Sequence, residues 1–186
     1  MNSLIKNDFV GIDALFTNDF KKVIGIFGDN GIGKTTFLKS LQSSYPLKTV
    51  LVWQGNFKTQ EHIKVKDLLK IVYEDSRFFN EFKNKIDFNQ WDINQLLEKK
   101  INLLSGGENQ IVKIISSLLI EKDIYLLDEP FTFLDSKRGE LLKKLIIELT
   151  NLNKKVVIVE HDLLRLQSLS DIVYTFRDNK LVELGK

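Results

Sequence analysis

With 186 residues, 43% of them hydrophobic, the chain has the size of one domain with a sizeable core. Its 27 lysines and arginines against 25 acidic residues leave a net charge of +2, which makes no electrostatic case for a nucleic-acid or anionic-membrane partner. The absence of cysteine excludes disulfides, thiolate metal sites and thiol catalysis. No apolar run approaches the roughly 18 to 20 residues that cross a bilayer, so any membrane partner is expected to be another chain.

In chain order, the first β-rich apolar run is Val23 to Phe27. It leads into Gly28-Asp29-Asn30-Gly31-Ile32-Gly33-Lys34-Thr35-Thr36, and a helical pattern follows from Thr35 to Leu41. Strand, glycine loop and helix in that order are the context that a P-loop requires. Glycines let successive backbone N–H groups turn inward around phosphates, and the helix N-terminus adds partial positive charge. Lys34 is then in reach of the β- and γ-phosphates, and the Thr35 hydroxyl is placed to ligate Mg²⁺. Alone, this motif says only that a nucleoside triphosphate binds.

A second strand is predicted from Thr49 to Trp53. From Gln54 to Leu104 the texture changes to lysine, asparagine and aromatic residues, with helices expected at Val65 to Tyr73 and Ile93 to Lys99. This stretch reads as a helical insertion in the α/β domain. Leu104-Ser105-Gly106-Gly107-Glu108 precedes the apolar helix Ile111 to Ile120, and the S-x-x-E spacing of Ser105 and Glu108 is that of a capping box. Next comes Ile124 to Leu127, an apolar strand ending in Asp128-Glu129-Pro130. A buried strand carries such acids to the C-terminal edge of a sheet, where Asp128 suits a Mg²⁺ shell and Glu129 suits a general base or water-positioning role. Taken alone those acids could equally be helix caps. A fourth strand, Val156 to Val159, is followed by His161, and Ile172 to Phe176 with Leu181 to Leu184 reads as a hairpin turned at Asp178-Asn179. Strands alternating with helices argue for an α/β fold with a mostly parallel sheet.

With the P-loop and Asp128-Glu129 in the same chain, the pentapeptide Leu104 to Glu108 resembles the signature motif of the ATP-binding cassette (ABC) family, in its variant ending in Glu. The resemblance covers nearly the whole chain and implies a P-loop NTPase fold. It implies a single domain over 1–186, with a nucleotide-binding core from 1–54 and 105–186 and a helical subdomain from 55–104. It also implies that Gln54 is a Mg²⁺ ligand that senses the membrane partner, that Phe133-Leu134-Asp135 crosses to another subunit, and that His161 contacts the γ-phosphate. ATP and Mg²⁺ are the implied ligands. Lys34, Glu129 and His161 become the catalytic set. Asp29 to Thr36, Gln54, Ser105, Gly106 and Gly107 contact nucleotide, and Thr35, Gln54 and Asp128 contact the metal.

In this family the P-loop of one subunit and the signature of another close over one ATP. The chain is therefore expected to pair with itself or a related cassette, at the inner face of the cell membrane, and to drive a separate integral membrane subunit. No direct nucleic-acid contact is expected. Aromatics between Phe78 and Trp91 could line the docking groove for the membrane subunit or form a small helical core. Only 20 positions separate Lys34 from Gln54, and the segment before Gly28 is also short for the family, so a reduced antiparallel β-subdomain is expected. Phe9 and Phe16 are the candidates there for stacking on adenine. The competing reading is a soluble cassette acting on ribosomes or nucleic acid.

Overall fold

The structure is a computed structural model, which describes residues 22–55, 57, 62–73, 78, 81–82, 84–177 and 180–184. Six strands among these residues form one sheet: β1 (Val23–Phe27), β2 (Thr49–Val52), β3 (Ile124–Asp128), β4 (Lys155–Glu160), β5 (Ile172–Arg177) and β6 (Lys180–Leu184). Their spatial order is β2-β3-β4-β1-β5-β6. All neighbours run parallel except β6, which pairs antiparallel with β5 and closes one edge. Beyond that hairpin, the described residues show antiparallel pairing only at a single bridge between Lys64 and Lys100. The segment expected to hold the reduced β-subdomain, including Phe9 and Phe16, lies outside the described residues, as does the Asp178-Asn179 turn.

Residues of the central strands alternate between two apolar layers, as the two-residue period of a strand demands. Ile24, Ile26, Leu51, Leu126 and Val157 pack with Phe37, Leu38 and Leu41 of helix α1 (Lys34–Ser44). Tyr125, Leu127, Val156 and Ile158 face the other way, into the core that holds the remaining helices. Both layers are needed because the inner strands are buried on both faces.

The stretch after Gln54 contributes α2 (Val65–Tyr73), the one-turn α3 (Ile93–Leu96) and a 3₁₀ turn (Ile101–Leu103). Helix α3 stops short of the expected Lys99 because its next carbonyls are engaged elsewhere. The Leu97 and Lys99 carbonyls accept from the N–H groups of Lys66 and Val65, at 3.0 Å each, and so cap the first turn of α2. Buried Leu69, Phe82, Trp91 and Ile93 then share one core with α4 (Gly106–Leu118). Helices α5 (Ser136–Asn151) and α6 (Leu163–Leu169) complete that layer.

Candidate functional site

The register places four loops side by side. Strand β1 pairs with β4, β4 with β3 and β3 with β2, all parallel, so the chain leaves these strands at one edge of the sheet. That edge carries the glycine loop after β1, Gln54 after β2, Asp128 and Glu129 at the end of β3, and His161 after β4. Loops at this edge of a parallel sheet are where doubly wound folds bind ligands.

Helix α1 begins with a bare end. Its first residue follows Gly33, which sits at φ 105° and contributes no side-chain cap, and the first turn holds no acid. Gly31 and Gly33 both lie in the left-handed region, at φ 85° and 105°, with open space where a Cβ would stand. What demands glycine there is backbone conformation, not crowding. Gly28 differs, because a Cβ there would come within 2.8 Å of the Ile32 side chain. Asn30, Gly31, Gly33, Lys34, Thr35 and Thr36 line a cavity of about 290 Å³ that Gln54 and Glu129 complete. Asp29 and Ile32 belong to the same loop, closed by a 3.4 Å bond from the Ile32 N–H to the Asp29 carbonyl.

Lys34 is 5% exposed and donates to the carbonyls of Gly28 and Asp29; its ammonium is 3.7 Å from Glu129 Oε1. Glu129 has a left-handed backbone, φ 45°, with its N–H bonded to the Val159 carbonyl at 3.1 Å. A non-glycine residue in that region is strained by about 1–3 kcal/mol, and such strain concentrates where a side chain must be aimed. The Glu129 carboxylate accepts from Gln54 Nε2 at 2.9 Å and is 3.8 Å from His161 Nδ1. The same imidazole nitrogen is 3.8 Å from Oε2 of Glu160, a fully buried carboxylate whose Oε2 has no hydrogen-bond partner.

The Thr35 hydroxyl donates to both oxygens of Asp128, at 3.1 and 2.9 Å. Burial pushes the Asp128 carboxyl up, and the Thr35 hydroxyl and the Gln54 backbone N–H pull it back. A hydroxyl, a carboxylate and an amide are hard oxygen donors of the kind Mg²⁺ takes. Among the described residues no cluster of three or more His, Asp or Glu could cage an ion. One carboxylate plus substrate phosphates is nonetheless the usual way a protein holds Mg²⁺, so this donor set fits.

Ser105, Gly106 and Gly107 do not line that cavity. They begin α4, where the capping box is closed on both sides: Glu108 N–H donates to Ser105 Oγ at 3.3 Å and Ser105 N–H to Glu108 Oε2 at 2.9 Å. Gly106 and Gly107 lie against Phe133, whose carbonyl would be 3.3 Å from a Cβ on Gly107. Phe133 is itself 72% exposed, at φ 65°.

The aromatics between Phe78 and Trp91 take the second of their two readings. Phe78, Phe82 and Trp91 are buried in the core, which is the small-core alternative, and Phe79 lies outside the described residues. A groove of about 890 Å³ opens instead beside Gln54, with Lys39, Gln42, Trp53, Phe57, Leu68 and Ile120 in its walls. Sequence reasoning also passed over Lys113, a buried lysine inside the apolar helix run. A charge amid Ile111, Val112, Ile114 and Ile115 was the available signal.

Similarity to known proteins follows the same lines. The family described as ABC transporter matches residues 14–132. An uncharacterised ABC transporter ATP-binding protein of Methanocaldococcus jannaschii is 32% identical over 179 residues, covering 89% of this chain and 67% of that relative. Translation initiation factor rli1 of Schizosaccharomyces pombe is 33% identical over 159 residues, covering 83% of this chain, which spans only 26% of that factor's length. Among solved structures, the RNase-L Inhibitor superimposes with a TM-score of 0.73 and 32% identity over 88% of this chain and 35% of its own.

Proposed function

This chain belongs to the ABC transporter family, and from that premise we propose that it hydrolyses MgATP in a composite site shared by two cassettes. The observation that carries this reading is the meeting of Lys34, Gln54, Glu129 and His161 around one cavity edge, while Ser105 to Gly107 stand outside it. Half of the nucleotide's contacts then come from a second copy or a related cassette.

In this reading the unpaired N–H groups at the start of α1 and the Lys34 ammonium bind the phosphates. Thr35, Asp128 and Gln54 hold Mg²⁺, which when bound neutralises charge on the β- and γ-phosphate oxygens. Glu129 orients the attacking water and takes its proton, Gln54 fixes the Glu129 carboxylate, and His161 donates toward the γ-phosphate. The signature helix of the second cassette covers the γ-phosphate from the other side.

The output is transmitted to a separate membrane subunit through the groove beside Gln54, whose Trp53, Phe57, Leu68 and Ile120 walls suit an apolar helix from a partner. No helix among the described residues is long and apolar enough to cross a membrane by itself. A second reading, work on the ribosome, draws support from the similarity to a translation initiation factor.

Glu129→Gln protein, incubated with MgATP and then with detergent-solubilised membranes or purified ribosomes, separates the two. Stoichiometric, ATP-dependent retention by a polytopic membrane protein supports transport. Co-sedimentation with ribosomes replaces that reading with the second.

A further inference from the structure

Helix α4 buries ten of its residues, and in the middle of them stands Lys113, 2% exposed. Its ammonium donates to the Trp53 carbonyl at 3.0 Å and to the Gly55 carbonyl at 2.6 Å, and lies 5.9 Å from the centre of the Trp53 ring. Those two carbonyls flank Gln54. No carboxylate of the described residues comes within 4.0 Å of it, so its contact partners are two peptide oxygens and the Trp53 ring, with Asp128 acting on it only from farther away. An apolar side chain would pack this helix position at lower cost, since a buried charge with no counter-ion in contact is expensive. A stabilising role therefore does not account for the residue.

We infer that Lys113 is a positioning residue that clamps the Gln54 loop to the helix led by Ser105 to Gly107, so that the reach of Gln54 to Glu129 depends on that helix. Holding the Trp53 carbonyl fixes the peptide plane that enters Gln54, and holding the Gly55 carbonyl fixes the turn that leaves it, so the backbone that aims the Gln54 side chain is held from both sides. The loop needs such a tether, because Gly55 turns it at φ 101°. The Gln54 amide then meets Glu129 at 2.9 Å. A narrow cavity of about 20 Å³ bordered by Gln54, Gly106, Lys113, Glu129 and Phe133 shows how closely the parts adjoin. Movement of α4 when a second cassette engages its N-terminus is passed by Lys113 to the hydrolytic carboxylate. This inference rests on the ATP-site reading given above.

The test is steady-state ATP hydrolysis by the full chain and by Lys113→Met, Gln54→Ala and the double variant, with Glu129→Gln as control. Loss of hydrolysis in the control secures the site itself, so the outcome for Lys113 is judged separately. Lys113→Met should lower kcat about tenfold with KM for MgATP within threefold and an undiminished Tm; on the Gln54→Ala background it should cost less than twofold, as coupled residues do. Without nucleotide, acrylamide quenching of Trp53 should rise in Lys113→Met, since Trp91 is buried and contributes little. A kcat within twofold of wild type, a full tenfold loss repeated on the Gln54→Ala background, or unchanged quenching would each overturn the inference. If the methionine variant does not fold, Lys113→Gln enters the same comparison with the same criteria.

Discussion

Two helix ends in this molecule use the same backbone chemistry in opposite ways. Helix α1 starts at Lys34 behind a left-handed glycine, without a cap or an acid in its first turn. Helix α4 starts behind Ser105 with a closed capping box, and Glu108 is further bound by Lys99 at 2.7 Å. The first end offers its N–H donors no side-chain acceptor, and the second satisfies part of its own from within the chain. An uncapped end is tolerable where a ligand completes it. In the proposed reading a capped end stays stable until a second cassette meets it at Gly106, which is exposed, and Gly107, which is half-buried. The contrast between the two ends is what the proposed composite site requires of its two halves.

The largest effects belong to the cavity at the α1 end, which Glu129 completes from β3. Glu129→Gln should cut phosphate release by about 10²- to 10⁴-fold, the usual worth of a positioned base, while nucleotide still binds by fluorescence titration. Loss of binding in step with hydrolysis would place Glu129 in the wrong role. Next, Gly33→Ala forces a Cβ onto φ 105°. At a cost of about 1–3 kcal/mol for such a conformation, ATP affinity should fall roughly ten- to a hundredfold in the same titration. If Gly33→Ala binds ATP as wild type does, the bare helix end is not the phosphate site.

Changes at the α4 end should be smaller in the isolated chain. Ser105→Ala removes the cap and should cost about 1 kcal/mol, or a Tm drop of about 2–4 °C by calorimetry. Its effect on binding to a single chain should be negligible. The smallest effect is on acid stability. The Lys99 ammonium, then the Ser105 backbone N–H, hold the Glu108 carboxyl below the ordinary carboxylate range. Because the folded value is depressed, the stability it contributes is present above the unfolded value and is lost as pH falls through the folded one. Glu108→Gln should therefore narrow the stability difference between neutral pH and pH 3 in urea titrations, and an unchanged difference would break the assignment.

Much of this was legible because it is local. Glycine loops, the Ser105 to Glu108 spacing and an apolar strand ending in two acids are contiguous, and each carries its own physical signal. The groove beside Gln54 was not, since aromatic residues look alike whether they fill a core, as Phe82 and Trp91 do, or face a cavity, as Trp53 and Phe57 do. The extent of α3 was misjudged because its end is set by the first turn of α2, about 30 residues earlier, through backbone bonds that no periodicity reveals. The Gln54–Glu129 contact and the Lys113 tether span 75 and about 60 positions and depend on strand order, which only the folded register supplies.

The most direct test of the composite site is light scattering of the Glu129→Gln chain with MgATP, alone and combined with Ser105→Arg. The amide keeps the shape of the site but cannot accept the water proton, so a closed dimer should accumulate and should vanish when Ser105 is also changed. A chain that stays monomeric with ATP bound, or a dimer indifferent to Ser105, would contradict the division of the site between the two helix ends.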